Sequence, residues 1–230
     1  GAADAVGAAG AADAVGAAGA ADASGAAEAA GAGDAGRDLL GHWAETLLGS
    51  WMERGLLSGY PDGTVRPDKE ITRAEFASLA NRLFQFRKKA NITFADVSGE
   101  WFRDELAAAV SAGYFTGYPD GTIRPNQLIS RIEAAVAAAR IVRWTAAEAE
   151  AALAAFSDAS DIADWGREAA AAVVELGIMR GYPDGTFRPH RAITRAEAVS
   201  LLEQAYRTLH HVIDEPGVYG PEDAARPRMF

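Results

Sequence analysis

Apolar residues recur along this chain at the helical spacing of three and four, in two short runs per unit, and the unit occurs three times. The first run of each unit predicts a helix beginning near a tryptophan. Its apolar face is Trp43, Leu47, Leu48 and Trp51 in unit one, Phe102, Leu106, Ala109 and Val110 in unit two, and Trp165, Ala169, Ala172 and Val173 in unit three. Gly55, Gly113 and Gly177 then stand where a helix C-terminus favours a left-handed residue. The second run predicts a second helix: Phe76, Leu79, Ala80, Leu83 and Phe84; Ala134, Ala137, Ala138, Ile141 and Val142; Ala198, Leu201, Leu202, Ala205 and Tyr206. The small residues of unit two imply close helix packing, as at a shared axis.

Between the two helices lies one hexapeptide, repeated without change: Gly59 to Thr64, Gly117 to Thr122 and Gly181 to Thr186. Triplication of a whole helix–loop–helix element is the mark of stacked or radially arranged modules. Pro61 pre-sets the second position of a turn, Asp62 takes the third, and Gly63 tolerates positive φ; the same holds at Pro119-Asp120-Gly121 and Pro183-Asp184-Gly185. The following Thr64-Val65-Arg66 and its equivalents read as short and extended. One carboxylate per loop falls short of the alternating acidic ligands of a calcium site, so Asp62, Asp120 and Asp184 read as turn formers.

Each loop ends in Arg-Pro and then in a helix start of the form Thr/Ser-Arg-x-Glu. Thr72 with Glu75, Ser130 with Glu133 and Thr194 with Glu197 fit a capping box, which accounts for those six residues by folding alone. It does not account for Arg73, Arg131 and Arg195. A cation at the first helical position faces the positive end of the macrodipole, a mildly unfavourable placement of about 0.3–1 kcal/mol. Its triple occurrence points to an anion held by helix-terminal amides and a guanidinium fork; a buried Asp partner inside the protein is the alternative. Trp43, Trp101 and Trp165 sit at helix starts, where an indole can present one face to a sugar ring or a partner, or simply pack. Trp51 and Trp144 have no counterparts in the other units and read as packing residues.

Composition sharpens this picture in a few places. Residues 1–36 are almost entirely Gly, Ala and Asp with a nine-residue period, which reads as a flexible acidic linker. Half of the net charge of −10 falls there, at Asp4, Asp13, Asp22, Glu28 and Asp34. No basic stripe exists to receive nucleic acid. Cysteine is absent, and with it disulfide frameworks, thiolate metal sites and thiol nucleophiles. His42, His190, His210 and His211 show no metal spacing, no cofactor signature appears, and no acid–base pair stands apart from the helix caps, so no catalytic, cofactor or metal site is expected. No signal peptide or membrane span is visible, and the chain reads as a processed or excised piece of a longer protein, in which a catalytic domain would be at home. Residues 211–230 carry Pro216, Pro221 and Pro227 and read as an extended tail.

The combined pattern of Trp, Gly-Tyr-Pro-Asp-Gly-Thr, Arg-Pro and Ile-Thr-Arg-Ala-Glu, in triplicate over residues 37–210, resembles the S-layer homology (SLH) domain in its tandem of three. The resemblance implies a mainly α fold: three helix–loop–helix repeats at about 37–92, 93–155 (with a connecting helix) and 156–210, forming a pseudo-threefold, three-pronged spindle around a central bundle. It implies an extracellular module at the bacterial cell surface that is no enzyme itself. Such a module holds an acidic secondary cell wall polysaccharide, typically carrying ketal-linked pyruvate, in grooves between neighbouring repeats, without nucleic acid or membrane insertion. By motif the ligand-binding residues are Arg73, Arg131 and Arg195; Gly59, Gly117 and Gly181; Trp43, Trp101 and Trp165; and the repeat-start aspartates Asp96 and Asp158, with Asp38 matched by spacing only. A two-residue insertion before Trp165 puts Asp158 in question, with Asp161 or Asp164 as substitutes. Binding of peptidoglycan, or protein–protein assembly with lattice self-association in a longer S-layer protein, is the competing reading.

Overall fold

The computed structural model describes residues 36–146 and 148–214, the last four as helix backbone only, so the Gly/Ala/Asp segment and most of the C-terminal tail lie outside the described residues. The fold is mainly α. Its helices are α1 (Glu45–Glu53), α2 (Arg73–Phe84), α3 (Arg103–Ala112), α4 (Arg131–Val142), α5 (Ala149–Leu153), α6 (Asp164–Glu175) and α7 (Arg195–Asp214). Among the described residues there is no β-strand, only three isolated antiparallel bridges.

The second helix of each repeat starts where the capping box places it. Thr72, Ser130 and Thr194 accept from the backbone amides of Glu75, Glu133 and Glu197, and each Glu carboxylate returns a bond to the cap amide. Gly113 closes α3 in the left-handed conformation, φ 84°, and Gly55 and Gly177 turn the chain after α1 and α6 in the same way. Gln85 and Arg143 do the same work for α2 and α4 without being glycine, which no local pattern announces.

Packing crosses repeat boundaries. The first helix of each repeat lies against the second helix of the preceding one: α3 on α2, α6 on α4, and α1 on α7. The last pairing joins the two ends of the chain, where the Trp51 indole donates to the buried Glu203 carboxylate at 3.0 Å. Buried Ala134, Ala135, Ala137 and Ala138 of α4 and Ala170 to Ala172 of α6 allow the close approach expected of unit two. Gly166 completes it, because a Cβ there would sit 2.6 Å from Ile132 Cγ1. One continuous core results, with Trp51, Phe76, Tyr114 and Phe187 fully enclosed. Each such side chain contributes on the order of 1.5–3 kcal/mol.

At the centre the three repeats close a ring. The amide of Ile71 donates to Ile193 O (3.2 Å), Ile193 to Ile129 O (3.1 Å), and Ile129 back to Ile71 O (3.0 Å). These three isoleucines are buried, so every bond of the ring is shielded from water. The ring orders the repeats cyclically, one to two to three and back to one.

Candidate functional site

Each hexapeptide loop is a self-clamped turn. Gly63 N donates to Tyr60 O and Tyr60 N to Thr64 O; Asp62 Oδ1 accepts from the Thr64 amide and hydroxyl, and Oδ2 from Arg66. The same bonds recur around Asp120 and Asp184. The Thr hydroxyl, then the Arg guanidinium, then the Thr amide hold the Asp120 carboxyl down to about 2 and Asp62 lower still. Arg66, Arg124 and Arg188 stack over Tyr60, Tyr118 and Tyr182 at 4.0, 3.9 and 4.2 Å. They have left-handed backbone, so the extended reading of Thr64-Val65-Arg66 fails at its third residue: the chain turns back there to bring the guanidinium onto the ring.

The repeat-start aspartates hold these loops in place. Asp38 accepts from the amides of Val65 and Arg66, Asp96 from Ile123 and Arg124, and Asp158 from Phe187 and Arg188, all between 2.6 and 3.1 Å. Asp38 therefore does the same work as the other two despite its different lead-in. The two-residue insertion of repeat three does not displace Asp158; it is taken up in the 3-10 turn Ala159–Asp161, and neither Asp161 nor Asp164 substitutes for it.

Arg73, Arg131 and Arg195 each reach into the next repeat of the ring and are only 4, 7 and 1 % exposed. Their helix-terminal amides are not open to a ligand. Arg73 N and Ala74 N donate to Gln127 O and Pro125 O; Arg131 N and Ile132 N to Arg191 O and Pro189 O; Arg195 N and Ala196 N to Lys69 O and Pro67 O. With the third amide taken by the cap hydroxyl, the first turn has no donor left for an anion, and the expected amide contribution is corrected accordingly. What remains is the guanidinium.

The three guanidinium groups differ. Arg73 donates Nε to Ile123 O (3.0 Å) and NH1 to Glu133 Oε1 (3.1 Å), and lies over Phe115 and Tyr118. Arg131 donates to Arg180 O and lies over Tyr182 (4.7 Å) and Phe187 (5.2 Å). Among the described residues it makes no ion pair, and its buried Nε has no hydrogen-bond partner. Burial disfavours its charge, so its pKa lies below the usual arginine value; Tyr182 and Glu197 offset part of that. Arg195 donates to Ser58 O and faces the Tyr60 ring at 5.4 Å.

Arg131 opens onto a cleft of about 500 Å³ that also receives Trp43, Gly181, Tyr182 and Glu197. One expected arginine, one tryptophan and one glycine, each from a different repeat, thus meet in one place. Trp43 and Trp165 are 64 and 62 % exposed, whereas Trp101 is half-buried against the core. Trp51 packs as expected, but Trp144 is 38 % exposed beyond the end of α4. At Gly117 and Gly181 a Cβ would fall 2.2 and 2.3 Å from the Phe94 and Phe156 rings, so packing alone requires glycine there; Gly59 lacks such a neighbour, its nearest being Thr64 O.

One position escaped sequence reasoning. Lys69 bonds Tyr60 OH and the capping Glu75, and Arg191 bonds Tyr182 OH and Glu197, but unit two carries Gln127 there. The signal was present in the alignment of the three units, as cation, amide, cation.

Among the described residues no cluster of His, Asp and Glu could hold a metal ion, and no helix is long and apolar enough to cross a membrane. The family model of the S-layer homology domain matches residues 38–77, 93–135 and 155–199. The chain is similar to cell surface glycoprotein 1 of Acetivibrio thermocellus, 34 % identical over 66 % of this chain and 7 % of that protein. It is likewise similar to the cellulosome-anchoring protein of the same organism, 33 % identical over 65 % of this chain and 35 % of that one. The S-layer protein sap of Bacillus anthracis is 31 % identical over 70 % of this chain and 20 % of its own length. The chain therefore spans about a third or less of these relatives. Three matched repeats, each covering the first helix, the hexapeptide loop and the start of the second helix, make this chain a member of the S-layer homology domain family.

Proposed function

We propose that this chain is a non-covalent cell-wall anchor that grips an acidic, pyruvate-bearing secondary wall polysaccharide in its inter-repeat grooves. Membership of the family and the anchoring and S-layer proteins among its relatives support the placement at the bacterial cell surface. The finer reading is carried by one observation: the cleft in which buried Arg131, with no ion pair among the described residues, meets the exposed Trp43 and the Gly181-Tyr182 loop. A ketal-linked pyruvate offers a carboxylate for the guanidinium, and the C–H face of its sugar offers apolar surface for the indole. Repeated weak sites on one polymer strand combine through effective concentration, so modest single-site affinity suffices for retention.

The test is sedimentation with purified wall sacculi before and after acid removal of the secondary polymer. Co-sedimentation that is lost on extraction, and lost on intact sacculi when Arg73, Arg131 and Arg195 are all changed to Ala in a chain that remains folded, supports the reading. Unchanged binding after extraction would instead assign peptidoglycan as the partner, and full binding by the folded triple variant would remove the arginines from the mechanism.

A further inference from the structure

The Arg131 cleft carries more positive charge than one bound carboxylate uses. Among the described residues that line it, Arg131 and Arg180 are the cations and Glu197 is the carboxylate. Glu197 is already engaged: Oε1 accepts from Tyr182 OH (2.9 Å) and Arg191 NH1 (2.6 Å), and Oε2 from the Thr194 amide (2.9 Å). Arg191 thus cancels Glu197, and two guanidinium groups remain. Arg131 is buried, whereas Arg180 is exposed, and among the described residues the Arg180 side chain has no hydrogen bond or ion pair. Arg131 is fixed to the backbone of Arg180, because its NH2 donates to that carbonyl. The bond needs no cation at the accepting residue. In repeat one the carbonyl of Ser58 accepts from Arg195 in the same way, and repeat two carries Thr116 at this position. The guanidinium of Arg180 is therefore an addition to the common plan.

Helix α7 makes the cleft long. Glu197, Ser200 and Gln204 share one face of it and line the cleft from the capped helix start to the exposed Gln204, a distance of about 10 Å at 1.5 Å per residue. One pyranose ring is shorter than that. We propose that Arg180 is a specificity-determining residue: it gives the Arg131 cleft a second anion position, so that the preferred occupant is a pair of linked sugars in which the neighbour of the pyruvate-bearing sugar is itself acidic. The inference rests on the carboxylate-binding role assigned to Arg131 above. A planar guanidinium takes either a carboxylate or a phosphate through two parallel bonds, and a cleft with uncancelled charge of one sign concentrates ligands of the other. Ser58 and Thr116 offer no such cation, so the preference belongs to this cleft.

Titration of the whole 15N-labelled chain, followed by NMR at the Trp43 indole N–H, reads this cleft by itself; the signal is assigned by its loss in Trp43→Phe. Three disaccharides are compared, each with one ketal-linked pyruvate, whose second sugar is a hexuronic acid, a hexose phosphate or a neutral hexose. At low salt the wild-type chain is expected to bind one of the acidic pair about fivefold more tightly than the neutral one, the scale of an exposed ion pair. The acid with the larger advantage identifies the second anion, and the advantage should shrink as salt is raised. Arg180→Ser, which installs the residue of repeat one, is expected to bring the ratio to one, and Arg180→Lys to keep most of it. Equal binding of all three disaccharides by the wild type, or a ratio that survives Arg180→Ser, overturns the inference and leaves the wall-anchor function standing. A Trp43 signal unmoved by any of the three overturns the carboxylate reading of Arg131, and this inference with it.

Discussion

Asp96→Asn separates a loop-holding carboxylate from a sugar-contacting one. In the structure Asp96 Oδ1 accepts from Ile123 N at 3.0 Å and Oδ2 from Arg124 N at 2.7 Å. Asparagine preserves shape and one acceptor but turns an NH2 toward the second amide, so one charge-assisted bond is lost and two donors face each other. A bond to a charged group contributes about 1.5–3 kcal/mol, and the part-buried setting favours the lower half of that range, giving a loss of about 2 kcal/mol. For a folded region of this size that corresponds to a fall in Tm of roughly 4–8 °C. Differential scanning calorimetry measures it, and polymer binding is followed in parallel at a temperature where the variant is fully folded. The expected outcome is the lower Tm with binding retained per folded molecule, since the Asp acts through the loop and a folded loop still presents its neighbours. An unchanged Tm combined with lost binding would refute the positioning role and return Asp96 to direct ligand contact.

Three further outcomes are expected. Gly181→Ala puts a methyl 2.3 Å from Phe156 and should cost about 1–3 kcal/mol in urea unfolding, with partial rescue by Phe156→Leu, while Gly59→Ala, which meets no ring, should cost less. Trp51→Phe keeps most of the packing but removes the bond to Glu203 that joins the first and last repeats, and should lower unfolding free energy by about 1.5–3 kcal/mol. The Asp120 and Asp184 carboxyls, held at about 2 by Thr and Arg partners, should titrate in NMR well below free aspartate; because their pKa is depressed on folding, the loop clamp is fully present above pH 4 or so and is lost as pH falls toward about 2.

How much could be read from sequence depended on the distance over which each decision is made. The capping boxes, the Pro-Asp-Gly turns and the glycines Gly55, Gly113 and Gly177 are settled by neighbours within a few residues, and they stand where the spacing put them. Asp38 was legible by spacing alone, yet its work was not, because it joins amides 27 and 28 residues away. The ring of Ile71, Ile129 and Ile193 is likewise a product of closure, and so is the use of the helix-terminal amides by carbonyls of the next repeat. The left-handed Arg66, Arg124 and Arg188 contradict local propensity, and the contact that overrides it is the stacking on the hexapeptide tyrosine. Trp144 read as a packing residue because it has no counterpart in the other units, but α4 ends at Val142 and leaves the indole beyond the packed helix. The difference between Arg73 and Arg131 needed both kinds of information: a substitution visible at Gln127 and a fold that sets Arg73 beside Glu133.

The central claim is that a buried guanidinium in an inter-repeat cleft recognises a carboxylate on the wall polymer. Its most direct test compares, on the wild-type chain, one saccharide bearing ketal-linked pyruvate as the free acid and as the methyl ester, which keeps the ring and its apolar face but removes the charge. Calorimetry is expected to show binding of the acid, loss of most of that affinity with the ester, and the same loss for the acid on a folded Arg131→Ala, Arg195→Ala chain. Equal affinity for acid and ester would contradict the account and leave recognition to the tryptophan and the sugar face alone.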